Sequence, residues 1–157
     1  MNNIDNLLTE LKQQEKELQF DTFSNQDAIS IGLALVDAAK KDSLPIVIDI
    51  TRAGQVLFHA AMPETSPDND QWIIRKNRTV SRFHSSSFMV GRKLEKSGST
   101  MEEKYLISSL EYAAHGGAFP IRIKNTGVVG TITVSGLAQE DDHALVVKVL
   151  RTWLNQA

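Results

Sequence analysis

The chain has 157 residues, of which 41% are apolar and 23% charged, and its formal net charge is −2. This length and composition predict one globular domain over residues 1–157 with enough interior for a core. The small net charge argues against nucleic acid or an anionic membrane as a partner. There is no cysteine, which excludes disulfides and thiol nucleophiles, and no apolar run of membrane-spanning length, so we expect a cytoplasmic protein.

The first part of the chain predicts two helices followed by a hairpin. Ile4, Leu7, Leu8, Leu11 and Leu18 recur at helical spacing. Their stripe is narrow, which favours packing of this amphipathic helix against a partner subunit. Residues 24–27 form a capping-box start for a second helix over 26–41. A β-branched run at 45–50 and a strand at 56–61 are joined by a short turn, which predicts an antiparallel hairpin.

The second part of the chain predicts further helices and a second hairpin. Helices are expected over 68–84 and 85–96, and another begins near residue 100. Strands at 120–124 and 128–134 flank a glycine-containing turn at 125–127, and a last helix runs to about 154. Pairing about this turn places Phe119 near Thr133 and Gly117 near Ser135. Antiparallel hairpins with packed helices predict an α+β fold.

The segment at 115–117, His-Gly-Gly, is expected beside the start of the last helix. A helix N-terminus presents free N–H groups and suits an anion. Asp142 falls in the middle of the apolar face of that helix, and the glycines are interpreted as close approaches at a shared site. The structural alternative is that acidic residues stabilise a helix N-terminus by themselves. The candidate ligand-binding residues here are His115, Gly116, Gly117, Ser135, Gly136, Asp142 and His143.

The helix at 68–84 contains a second group of candidates. Arg75, Arg78 and Arg82 share a narrow arc, which indicates a solvated face, subunit salt bridges or a phosphate or carboxylate site. Lys76 lies within the adjacent apolar arc. Because burying an ammonium group is costly, Lys76 either extends to solvent or meets a carboxylate or ligand in a pocket. Arg75 and Lys76 therefore join the candidate ligand-binding residues.

Several motifs of catalysis are absent. The chain has no Walker A loop, no dinucleotide fingerprint and no nucleophile elbow. Its histidines lack the spacing of a helical zinc site, and a lone histidine on a strand, such as His59, is typically a hydrogen-bonded structural residue. His115, Asp142 and His143 could meet a metal ion, but no metal site is predicted.

Longer motifs resemble a known family. They are Asp68-Asn69 with WIIRK at 72–76, VSRFHSS at 80–86, HGGAFP at 115–120, GVVGTITVSGL at 127–137 and Asp141-Asp142-His143. With these motifs the chain resembles the haem-degrading-domain superfamily of HbpS-like and GlcG-like proteins. The resemblance implies an antiparallel sheet of about five strands flanked by helices, and assembly into homo-oligomers. It also implies haem or another tetrapyrrole as a candidate ligand, with His115 and His84 as candidate axial ligands.

Three functional hypotheses follow. The first is an oligomeric small-molecule-binding or accessory protein without established catalysis, in which Arg75 and Lys76 neutralise an anionic ligand and His115 ligates it or hydrogen-bonds to it. The second is a small enzyme that uses His115, Asp142 or His143 for acid–base chemistry. The third is a protein-interaction module, such as a chaperone adaptor, that uses its first helix.

Overall fold

The computed structural model describes residues 3–155. Over this range the helices are α1 (Asn3–Glu17), α2 (Asn25–Asp42), α3 (Pro67–Phe83), α4 (Ser87–Ser97), α5 (Met101–Tyr105) and α6 (Gln139–Asn155). The strands are β1 (Val47–Arg52), β2 (Gln55–Ala61), β3 (Ala118–Ile123) and β4 (Gly127–Ser135). The α+β prediction is confirmed. None of the described helices is long and apolar enough to cross a membrane.

The strands form one antiparallel sheet in the order β2-β1-β4-β3. Both predicted hairpins are present, and β1 and β4 pair in the middle. The sheet has four strands over the described residues, whereas about five were expected. The segment after α1 explains the difference, because only Phe20 bridges to Ile123 at the outer edge of β3. A single bridge does not make a strand.

The register of the second hairpin differs from the prediction. Phe119 pairs with Ile132 rather than Thr133, and Gly117 lies opposite Val134, whose N–H donates to the Gly117 carbonyl. The difference arises at the turn, where residues 124–126 form the loop and Ile123 already pairs with Gly127; a bulge between Ile121 and Arg122 then reduces the offset to one residue. The shift is small enough that residues 115–117 still lie beside the end of β4.

The two faces of the sheet are chemically different. One face carries Ile48, Ile50, Ile132 and Val134, which pack with α2 and α6 in the main core. The opposite face is covered by α3 and carries the buried polar side chains of Asp49, Thr131, Thr133 and Ser135, together with the apolar Val47 and Ala118. Because side chains alternate along a strand, the sequence Thr-Ile-Thr-Val-Ser of β4 produces both faces at once. The α3 face is therefore buried and largely polar.

Two helix predictions had different outcomes. The capping box at the start of α2 is confirmed, since Ser24 Oγ accepts from Asp27 N and the Asp27 carboxylate accepts from Ser24 N. The expectation that α1 packs against a partner subunit is wrong for its apolar stripe. Leu8 and Leu11 are buried within the chain against Phe88 and Met89 at the start of α4. The apolar stripe of α1 is narrow because the cluster that it forms with α4 contains few residues.

Candidate functional site

A buried ion pair joins α3 to α6. Lys76 Nζ lies 3.2 Å from Asp142 Oδ2, and the two side chains are 4% and 2% exposed. Nζ also donates to the Val134 carbonyl at 3.2 Å, and Asp142 accepts from the N–H groups of Gly136 and Leu137 at 3.3 and 2.9 Å. Burial lowers the pKa of Lys76 and raises that of Asp142, and each partner opposes the shift of the other.

A cavity of about 420 Å³ opens beside this pair, at the end of β4. We call it the Lys76 cavity. Its lining contains both polar and apolar surface and consists of Asn69, Trp72, Lys76, His115, Ser135, Gly136, Leu137, Gln139 and Asp142. An ammonium group has three hydrogens, and Val134 and Asp142 take two of them. Lys76 therefore has one N–H left for a molecule in the cavity.

Two amide side chains add donors to this lining. Asn69 Oδ1 accepts from Ser66 N at 2.9 Å, within the capping box of α3. Gln139 Oε1 accepts from Gly116 N at 3.1 Å. Because the backbone occupies the oxygen of each amide, each NH₂ group is left to donate. Asp142, the carboxylate of the lining, already accepts three hydrogen bonds. The cavity is thus lined by several hydrogen-bond donors that are free to bind a ligand.

Two glycines allow the backbone to pass close to the pair. Gly117 has φ +141°, and a Cβ there would lie 2.3 Å from Val134 O and 2.7 Å from Lys76 Nζ. Gly136 has φ +148°, and a Cβ there would lie 2.1 Å from Pro45 O. Any side chain at either position would collide and would also be strained in this region of φ. The interpretation of both glycines as close approaches agrees with these contacts.

His115 stands at the mouth of the cavity. Its ring meets the Trp72 ring edge-on, with centroids 5.5 Å apart, and the Arg75 guanidinium stacks 4.3 Å from the Trp72 ring centroid. Burial lowers the pKa of His115, and the charges of Lys76 and two arginines lower it further, although Gln139 opposes them. The electrostatic field at the mouth is therefore positive and keeps the imidazole neutral.

Most of the predicted residues lie together, and one lies elsewhere. His115, Ser135, Gly136, Asp142 and Lys76 line the cavity, Gly116 and Gly117 form its loop, and Arg75 stacks on the lining residue Trp72 without lining the cavity itself. The expectation that His143 joins them is wrong. Its Nε2 lies 2.7 Å from Gln14 Oε1 of α1, and its ring packs between Phe88 and Phe119. One helical position turns a side chain by about 100°, so neighbours such as Asp142 and His143 face different partners.

Sequence reasoning missed other residues. Asn69, Trp72, Leu137 and Gln139 line the cavity without any motif of their own. A second polar cluster also lies on the α3 face of the sheet. His59 Nδ1 lies 2.8 Å from Asp49 Oδ2, and His59 Nε2 lies 2.8 Å from Asp70 Oδ1. The signal for this cluster was Asp49 itself, a carboxylate within the apolar run of β1.

Asn77 connects this cluster to β4. Its Nδ2 donates to Asp49 Oδ1 at 3.2 Å, and its Oδ1 accepts from the Thr133 hydroxyl. Within residues 3–155, no group of three or more histidine, cysteine or acidic side chains is arranged to hold a metal ion. The cluster around His59 is therefore a hydrogen-bond network that joins β1, β2, α3 and β4.

Comparisons with known proteins agree on one family. The model of the HbpS-like haem degrading proteins matches residues 23–151. A UPF0303 protein of Streptomyces coelicolor is 48% identical over 149 residues, which are 95% of this chain and 94% of the relative. The crystal structure of the Ybr137w protein superposes with a TM-score of 0.87 at 38% identity, covering 95% of this chain and 88% of the other. The PduOC:heme complex shares the fold, with a TM-score of 0.68 at 18% identity over 83% of this chain and 94% of the other.

Proposed function

Because this chain belongs to the HbpS-like family of haem degrading proteins, we propose that it is a small-molecule-binding protein whose ligand occupies the Lys76 cavity. The ligand class that its lining favours is a small anionic, oxygen-rich molecule such as an organic acid. The observation that carries this proposal is the set of donors around the cavity: the remaining N–H of Lys76 and the NH₂ groups of Asn69 and Gln139.

Charge supports the same class of ligand. Lys76 and Asp142 neutralise one another, so Arg75 at the mouth adds a positive charge that no described carboxylate pairs within 4.0 Å. Hydrogen bonds to charged groups are stronger than those between neutral groups, so a carboxylate gains most from these donors. Of the candidate acid–base residues, His143 lies outside the cavity, where it cannot act together with Asp142 on a bound ligand. This arrangement favours binding over the acid–base hypothesis.

Two isosteric substitutions test the proposal. Gln139→Glu and Asn69→Asp keep the oxygen that accepts from the backbone and replace the donor NH₂ with a second, negative oxygen. Gln26→Glu is the matched control, because Gln26 is exposed on α2 and does not line the cavity. Binding of lactate, succinate and inorganic phosphate is measured by ligand-detected NMR. We expect each cavity variant to weaken binding about tenfold or more, whereas the control binds as the native chain does. Equal binding by all variants would refute the proposal.

Haem is the second candidate, because the family is described as haem degrading and one related fold was solved as a heme complex. The interior of the Lys76 cavity does not fit a macrocycle, since Trp72 and Leu137 are its apolar walls and the other side chains are polar. The mouth fits better. There His115 is exposed and neutral at physiological pH, the form that ligates iron, and Arg75 is available for a propionate. A haem held there would supply redox chemistry at an open surface.

Titration with hemin separates the two candidates. A shift of the Soret band that His115→Ala abolishes would support haem at the mouth. His84→Asn is the matched control, because His84 is exposed at the opposite end of α3 and its left-handed backbone, with φ +55°, suits asparagine. A Soret shift that survives His115→Ala would exclude this site.

Self-association is the remaining part of the proposal. Leu106 and Leu110 are each 86% exposed, and beside them Arg78 donates to the Glu111 carbonyl at 2.8 Å. An exposed apolar surface beside an arginine is typical of a contact between subunits. Light scattering on a sizing column measures the mass of the particle. We expect Leu110→Asp to reduce the mass and Val56→Asp, an exposed position on β2, to leave it unchanged.

A further inference from the structure

We propose that Lys76 forms a reversible imine with a carbonyl-bearing ligand, so that the Lys76 cavity captures small aldehydes or 2-oxo acids covalently. The inference rests on the proposed function, because it assumes that the cavity binds small molecules. It goes further by naming the reacting atom, Lys76 Nζ, and the chemical class of the ligand.

The surroundings of Nζ meet the needs of a nucleophilic amine. The side chain is 4% exposed yet lines a cavity of about 420 Å³, so a small ligand can reach it without competition from bulk water. Gly117 leaves the space next to Nζ open, since a Cβ there would lie 2.7 Å from it. Burial favours the neutral amine by lowering the pKa of Lys76. Lys148, in contrast, is exposed to solvent and does not line the Lys76 cavity.

Asp142 lies where a proton carrier is needed, 3.2 Å from Nζ. Its carboxylate first takes a proton from the ammonium, which leaves a neutral amine and a neutral acid. The nitrogen lone pair then forms a bond to the carbonyl carbon, and the carbonyl oxygen takes the proton from Asp142 as the C=O π bond breaks. The product is a carbinolamine with a protonated nitrogen.

The second half of the reaction releases water. Asp142 takes one proton from the carbinolamine nitrogen and delivers it to the hydroxyl group as the C–O bond breaks. The nitrogen lone pair forms the C=N bond, and the leaving group departs as water. The resulting iminium is cationic and faces the Asp142 carboxylate, so the charges of the original ion pair are restored. The sum is amine plus carbonyl giving imine plus water.

Reductive trapping tests this inference on the full chain. The protein is incubated at pH 7 with pyruvate or glyceraldehyde and sodium cyanoborohydride, which reduces an iminium to a stable amine, and peptides are mapped by mass spectrometry. We expect labelling of Lys76 at least about tenfold faster than that of Lys148, because the ligand is held next to a neutral amine. Lys76→Arg keeps the positive charge toward Asp142 and should lose the label at this position. Asp142→Asn should slow the labelling of Lys76.

The outcomes distinguish this inference from the proposed function. Lactate resembles pyruvate but has a hydroxyl group in place of the ketone that would form an imine, so its binding reports the cavity alone. If lactate binds and neither carbonyl compound labels Lys76, the inference is wrong and the proposed function stands. If Lys76 is labelled while lactate does not bind, imine formation holds and the anion-binding proposal fails. Labelling of Lys76 and Lys148 at equal rates would also overturn the inference.

Discussion

Lys76 and Asp142 form an ion pair that is almost completely inaccessible to solvent, with 3.2 Å between Nζ and Oδ2. The two residues are 66 positions apart in sequence, on α3 and α6, and they meet beyond the end of β4. The pair makes three further hydrogen bonds: Gly136 and Leu137 donate to Asp142, and Lys76 donates to Val134. The pair therefore joins two helices and a strand end around the same cavity.

Removing one partner of this pair should be more harmful than removing both. Lys76→Met leaves the Asp142 charge buried without its counter-ion and should lower the free energy of unfolding by about 3–5 kcal/mol. Adding Asp142→Asn removes that charge, so the double variant should be more stable than Lys76→Met alone and less destabilised than the sum of the two single variants. Urea unfolding of the four proteins gives the coupling energy. Strict additivity would show that the two charges do not stabilise each other.

Gly117→Ala should destabilise the chain more than Gly127→Ala. Both glycines have positive φ, +141° and +124°, so alanine is strained at each. At Gly127 a Cβ meets nothing within 4 Å, whereas at Gly117 it meets Val134 O at 2.3 Å. We expect the cost at Gly117 to exceed that at Gly127 by roughly 2 kcal/mol, measured by thermal or urea unfolding. Similar costs would mean that backbone strain alone explains Gly117.

His59 should make the fold less stable as the pH rises. A neutral imidazole has one N–H, so both contacts of His59, to Asp49 and Asp70, are hydrogen bonds when the ring is protonated. Burial opposes the charge, but these two partners together raise the pKa of His59 above its usual value. The stabilisation is therefore complete below about pH 6.5 and is lost as the pH rises through the pKa of the folded state.

The His59 prediction is checked by urea midpoints measured across neutral and alkaline pH. The midpoint of the native chain should fall as the pH rises, and the fall should be smaller in His59→Gln, because glutamine does not titrate. His84→Asn, an exposed position, should keep the full fall. A pH dependence unchanged in His59→Gln would contradict the prediction.

His143 should make the fold less stable as the pH falls below neutrality. Burial lowers its pKa to about 4, and its Nδ1 has no hydrogen-bond partner in the described part of the chain. Between about pH 4 and 6.5 the unfolded chain binds a proton that the folded chain does not, so stability falls as the pH is lowered through this window. We expect a loss of roughly 3 kcal/mol from this residue, reduced in His143→Gln, and measured by urea unfolding. An equal acid loss in both proteins would assign it to other groups.

The local features of the fold were predictable from the sequence because they depend on near neighbours. The capping box of α2 and both hairpins follow from residues a few positions apart. The apolar arcs also indicated that Lys76 and Asp142 are charged residues at buried positions. Their pairing was not predictable, since no local pattern relates residues on two distant helices. The bulge at Ile121 and Arg122 was not predictable either, because counting residues from a turn assumes an uninterrupted ladder of strand pairs.

The position of His143 shows a second limit of prediction from the sequence. Helical periodicity assigns a residue to a face but does not say which element covers that face. Here α1 covers it, and Gln14, 129 residues away, takes the Nε2 hydrogen bond. His59 was interpreted as a hydrogen-bonded structural residue, which its contacts with Asp49 and Asp70 confirm, but its partners were not predictable because a buried carboxylate does not reveal its partner in the sequence.

The polar face of the sheet beneath α3 determines how freely this helix can change in evolution or design. A helix on an apolar surface can turn or slide by small steps, since contacts between hydrocarbon groups have no direction. The hydrogen bonds that Asn77 makes with Asp49 and Thr133, and that His59 makes with Asp70, are directional and fix one orientation. A chimera that takes α3 from an unrelated protein would have to exchange the strand residues with it. Helix α3 and the strand residues that face it therefore have to change together.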